Sequence, residues 1–165
     1  MNDLIEKLVG DFPKINFCEG DSFCWSPQKQ TVSYRSNTAD VATNWAILHE
    51  LSHALLGHQT YSSDFELLTM EIEAWEKAKH LAKKYSQAID LEHIQNCLDT
   101  YRDWLHRRST CPHCHNGSLQ QDSNTYACFN CHTVWKVTSA RFCRPYRRTY
   151  DQLKAISSSA QITFI

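Results

Sequence analysis

The chain has 165 residues, 42% of them hydrophobic, with five tryptophans and four glycines, so it can bury a core and suits one ordinary domain or a smaller one with an appendage. It contains no apolar run of about 18 residues, which argues against a membrane span, and Asp3 and Glu6 break up the first apolar stretch, which therefore does not read as an export signal. The net charge of −1 hides an asymmetry: residues 1–107 carry 10 basic against 16 acidic side chains, and residues 108–165 carry 7 against 2, as two modules with different partners would.

A cytoplasmic location is the expectation, and in that reducing setting eight cysteines are better explained by metal than by disulfides. Leu4, Ile5, Leu8, Val9 and Phe12 are spaced for an amphipathic helix that ends at Pro13. Ile15 to Cys18 predicts a short strand. Ser22 to Trp25, a turn through Ser26–Gln30, and Thr31 to Arg35 predict a hairpin. The second hairpin strand would border a cleft and pair with an extended peptide; a plain structural hairpin fits the residues equally well. Asn37 or Thr38 could cap the next helix, with Asp40 in its first turn.

That helix carries His49-Glu50-Leu-Ser-His53 in an apolar helical pattern. Histidines four apart project from one helix face and can share a metal ion, while Glu50 is placed to take a proton from water that the ion activates. Ala42, Trp45, Ala46 and Leu56 share the direction of the histidines and predict that this face is buried. Two core histidines on an amphipathic helix are the plainer alternative. His58 falls too near His53 for the metzincin spacing. Gln59 to Glu66 predicts a polar loop over the site, with Tyr61 as a phenol that could meet a developing oxyanion.

Leu67, Trp75, Ala78, Ala82 and Tyr85 form one stripe of a further helix, and Glu71 lies near its centre. A carboxylate on a buried face is costly unless paired or metal-bound, so Glu71 is the expected third ligand; a salt-bridged glutamate at a helix start is the alternative. Glu73 and Glu76 point elsewhere and are expected in solvent. Leu91, Ile94, Leu98, Tyr101 and Leu105 predict a last helix, with Cys97 beside its stripe.

After Arg107 the composition changes. Cys111-Pro-His-Cys114 and Cys128-Phe-Asn-Cys131 are two CxxC knuckles thirteen residues apart, spaced to hold one structural zinc on four thiolates in a zinc ribbon. His113, His115 and His132 could substitute as ligands. Lys136, Arg141, Arg144, Arg147 and Arg148 interleave with Trp135, Phe142, Tyr146 and Tyr150, a pattern that suits a nucleic-acid partner; a solvated basic tail, or a patch docking on the acidic module, would look the same. Residues 151–165 form a low-charge tail.

The His49-to-His58 segment with Glu71-Ile-Glu-Ala74 resembles the ImmA/IrrE-like zinc metallopeptidases, over about Thr31 to Ala82. The resemblance implies His49, His53 and Glu71 as zinc ligands, Glu50 as general base, and a cytoplasmic regulatory peptidase that cuts a protein such as a DNA-binding repressor. The family has Asn or Asp after that alanine, where this chain has Trp75. The order of modules is also similar to SprT-like proteins, although their third ligand is a downstream histidine. The expectation is an α+β protein: a zincin-like metallopeptidase domain over 1–107, a zinc ribbon with its basic extension over 108–150, and a tail. It would bind two Zn²⁺, one catalytic and one structural, act on a protein substrate and not associate with a membrane. A non-enzymatic nucleic-acid- or protein-binding module is the competing expectation.

Overall fold

A computed structural model describes residues 3–35, 41–141 and 147–150. Asn37, Thr38, Asp40, Cys143, Arg144 and the tail lie outside them. The protein is mixed α+β and divides into two compact units, Met1–Thr60 with Thr69–Gln95, and Tyr61–Leu68 with Asn96–Ile165. No helix among the described residues is long and apolar enough to cross a membrane.

In the first unit, α1 (Asp3–Asp11) buries Leu4, Ile5 and Leu8 and leaves Val9 exposed. Three short strands follow: β1 (Asn16–Glu19), β2 (Cys24–Ser26) and β3 (Thr31–Tyr34). The expected hairpin forms, with Trp25 opposite Val32 in antiparallel register. β1 then adds in parallel to the other side of β3. The sheet order β1-β3-β2 corrects one expectation: both edges of β3 are paired, so the strand preceding the histidine helix cannot receive a peptide, and the outer edge on that side, unpaired with any strand among the described residues, belongs to β2. Val32 is fully buried at the centre of the sheet.

α2 (Val41–Leu56) packs on β2 and β3. Its buried side chains are Thr43, Ile47, Leu48, His49, Leu51, Ser52 and His53. Leu56, expected on that face, is exposed, because the helix ends there and turns away at Gly57 (φ 70°). α3 (Asp64–Lys84) buries Glu71, Ala74, Trp75, Ala78, Leu81 and Ala82, which fall on one helical face at spacings of three, four and seven from Glu71 and again of three and four from Ala78. It begins earlier than expected. Ser63 Oγ accepts the Glu66 N–H, and the Glu66 carboxylate accepts from the backbone and hydroxyl of Ser62, a variant of the capping box.

α4 (Leu91–Ser109) also departs from its expected stripe. Leu91 is exposed, and Trp104 and Arg108 are buried beyond Ile94 and Leu98. In the second unit, β4 (Leu119–Asp122), β5 (Thr125–Ala127), β6 (Val134–Val137) and β7 (Arg147–Thr149) form an antiparallel sheet in that order. Its small core is Cys111, Tyr126, Cys128, Trp135 and Val137.

The buried arginine has a full set of partners. Arg108 Nε donates to Asp64 Oδ2 (2.5 Å), and its other nitrogens donate to Asp64 Oδ1 (3.2 Å) and to the carbonyls of Ser123 (2.8 Å) and Thr138. Tyr126 donates to the same Asp64 Oδ2 (2.6 Å), and Trp135 Nε1 donates to the Arg108 carbonyl (3.1 Å). Burial, and then the Asp64 carboxylate, push the Tyr126 phenol well above its ordinary value. A charge at 1% exposure survives because every nitrogen of the guanidinium meets an acceptor and its plane lies over the Trp104 ring.

Candidate metal centres

In the first unit the helical spacing of α2 and the buried stripe of α3 bring three side chains to one point. His49 Nε2 lies 3.1 Å from His53 Nε2 and 3.2 Å from Glu71 Oε2, and His53 Nε2 lies 3.6 Å from Glu71 Oε1. All three residues are buried, at 7–8% exposure. A tetrahedral ion held at 2.0–2.1 Å keeps its nitrogen and oxygen ligands about 3.3 Å apart, so the triangle fits a metal of that size. Burial first, and then the neighbouring His49, push His53 down to about 4, with Glu71 opposing. At neutral pH the imidazole is therefore uncharged, the form that ligates metal.

Each ring is held from behind. His49 stacks on Trp75 (4.2 Å between centroids, 28°), and Trp75 meets His93 edge-on. His49 Nδ1 is buried and has no hydrogen-bond partner among the described residues. The His49 ring is thus oriented by stacking on Trp75. Behind His53 stands His58, Nδ1 to Nδ1 at 2.8 Å. Glu50 Oε2 accepts the backbone N–H of Trp25 (2.7 Å), which fixes the carboxylate at the edge strand β2. Among the glutamates expected in solvent, Glu76 pairs with Lys79 at the surface, while Glu73 reaches His58 Nε2 at 3.3 Å. Tyr61 is exposed.

In the second unit Cys111, Cys114, Cys128 and Cys131 bring their sulfurs together. Cys111 and Cys131 are 3.6 Å apart and Cys114 and Cys128 3.4 Å, close to the roughly 3.8 Å separation that a tetrahedral ion with sulfur at about 2.3 Å imposes. The arrangement on a small antiparallel sheet fits a zinc ribbon. The Thr133 hydroxyl and N–H bring Cys131 down to about 5, the Cys131 N–H leads in lowering Cys128, and burial raises Cys111 to about 11. The two knuckles repeat each other. Cys111 and Cys128 accept through their carbonyls from the N–H of His115 and His132, which both adopt left-handed backbone (φ 61° and 58°). His115 and His132 are therefore turn residues, and neither they nor His113 belong to the sulfur cluster.

The basic residues have different surroundings. Lys136 and Arg148 are exposed and directly opposite across β6 and β7. Arg147 Nη1 donates to the Thr110 carbonyl (2.8 Å), and the Arg141 guanidinium lies 3.9 Å over the Tyr101 ring. Compared with protein-family models, with curated proteins and with solved structures, the chain finds no match. What the coordinates define is a class: a mixed α+β protein with two candidate metal centres of different donor chemistry.

Proposed function

We propose that the chain is a zinc-dependent metallopeptidase of the ImmA/IrrE-like kind, with a zincin-like domain over residues 1–107, that hydrolyses a peptide bond in an intracellular protein. A regulatory substrate such as a DNA-bound repressor accords with the resemblance. The observation that carries the reading is the convergence of His49, His53 and Glu71 from α2 and α3, with ligand atoms 3.1–3.6 Å apart, and Glu50 beside the first ligand and tied to an edge strand. A zinc ion there would supply Lewis acidity and make water nucleophilic at neutral pH. Glu50 takes the proton of the attacking water and passes it to the departing amine. The outer edge of β2, unpaired with any strand among the described residues, would border an extended peptide, and the Trp25 N–H that holds Glu50 marks where that edge meets the reacting group.

Glu50→Gln keeps the shape and removes the base. With metal content and folding unchanged, cleavage of a denatured fluorogenic protein should fall about 10²–10⁴-fold. Unchanged cleavage by the variant would exclude the mechanism. A second reading has one observation in its favour: Lys136 and Arg148 stand side by side on the ribbon sheet, where a phosphate backbone could neutralise both. In that case the chain is a binding module, with one tightly held zinc and none that mild chelation removes. The hydrolase requires two.

A further inference from the structure

We propose that His58 is a positioning residue for the ligand His53, the middle of a relay that runs from Glu73 through His58 to His53 and sets which nitrogen of His53 faces the metal. The inference rests on the reading of His49, His53 and Glu71 as a metal site.

The local sequence explains why His58 arrives there. α2 ends in a Schellman turn: the His58 N–H donates to the His53 carbonyl (3.0 Å) and the Gly57 N–H to the Ala54 carbonyl (3.2 Å), with Gly57 in left-handed backbone. This turn folds residue 58 back over residue 53, and the two rings meet at 5.0 Å between centroids. Two further elements fix the position. Trp25 Nε1, on β2, donates to the His58 carbonyl (2.9 Å), and Glu73, on α3, accepts from His58 Nε2 (3.3 Å). The His58 side chain is 10% exposed, so water does not compete strongly for its nitrogens.

For two neutral imidazoles the relay has one consistent proton arrangement. A carboxylate can only accept, so His58 carries its proton on Nε2 and presents a bare Nδ1. Two ring nitrogens 2.8 Å apart need one proton between them, which must then be on His53 Nδ1. His53 Nε2 is left as a lone pair, and it is this nitrogen that lies against His49 and Glu71. His58 is not itself a ligand, since its contact is to the far side of the His53 ring. The relay also makes His53 a stronger electron donor, as a carboxylate behind a ligating imidazole does. His49 has no such support among the described residues: its Nδ1 has no hydrogen-bond partner there, and its ring is steadied by Trp75.

The test is cobalt titration of the full chain with zinc on the ribbon, against a competing chelator. Cobalt at the His₂Glu site lacks thiolate charge-transfer bands, which separates it from the cysteines. His58→Ala should weaken cobalt binding about 10–100-fold, and His58→Gln, whose amide can accept from His53 and donate to Glu73, should recover most of the loss. Nitrogen-15 spectra of the zinc-loaded chain should place the protons on His53 Nδ1 and His58 Nε2. Wild-type affinity in His58→Ala, or a His58 proton on Nδ1, overturns the relay alone. A wild-type chain that takes no metal outside the ribbon overturns the metal site and the relay together.

Discussion

The two candidate metal centres are built on opposite principles. The sulfur cluster draws each pair of donors from a four-residue knuckle, and each knuckle repeats the same carbonyl-to-amide turn. Its geometry is a local property of the chain, with a core of only a few side chains around it. The His₂Glu cluster takes its donors from two helices, and its precision depends on what lies behind them: Trp75 against one ring, His58 and Glu73 behind the other, Trp25 on the glutamate. The first centre has four donors, which close a tetrahedron. The second has three among the described residues, which would leave a position of a tetrahedron open. A closed centre built from local turns suits holding a small fold together; an open one set in a helical core suits chemistry.

If that contrast is right, removing one donor has unlike consequences. Cys128→Ser should cost the second unit its metal and with it most of the roughly 10–16 kcal/mol that structural zinc contributes. Loss of ordered amide signals from residues 111–137, with those of α1 and β1–β3 retained, is the expected spectrum. A variant whose ribbon stays ordered would show that Tyr126, Trp135 and the Asp64–Arg108 pair suffice. The pair itself is next in size. Asp64→Ala leaves Arg108 buried without its carboxylate and should cost about 3–5 kcal/mol in denaturant unfolding. Adding Arg108→Met should recover much of it, because the charge left without a partner is then gone.

How far the sequence foretold these centres follows the same division. The cysteine knuckles could be read from spacing, since their ligands are set by turns a few residues long. Glu71 could be read because a carboxylate on an apolar stripe conflicts with its surroundings, and such conflicts are visible in periodicity. Arg108 is not legible: it lies three residues beyond Leu105, the last position of the expected stripe, and its burial depends on Asp64, forty-four residues away. The start of α3 is legible in principle, since Ser63-Asp-Phe-Glu66 carries the capping-box spacing within the segment expected to be a polar loop. The parallel pairing of β1 with β3 has no local signal, because register between distant strands is decided by the assembled core.

A smaller effect comes from Tyr126. Its phenol is pushed up in the folded state, so the protonated form is favoured there. Its contribution is complete below the unfolded value near 10 and is lost as pH rises from there through the folded value. Unfolding followed from pH 8 to 11 should therefore show the second unit weakening above about pH 10. Tyr126→Phe should flatten that limb and cost about 1.5–3 kcal/mol at neutral pH, the contribution of a hydrogen bond to a carboxylate. An alkaline limb unchanged in the variant would assign it to another group.

The smallest effect separates turn residues from ligands within the ribbon. His115 and His132 each follow the second cysteine of a knuckle with φ near 60°, a conformation that costs a side-chain-bearing residue roughly 1–2 kcal/mol. Glycine adopts it freely but loses more entropy on folding, by about 0.5–1 kcal/mol. His132→Gly should therefore leave metal content unchanged and raise the stability of the second unit by about 0.5–1 kcal/mol, and His115→Gly should do the same. Were either imidazole a ligand, its removal would instead weaken metal binding, as loss of a cysteine does. The sign of a sub-kilocalorie shift thus decides whether the knuckle histidines belong to the backbone's geometry or to the ion.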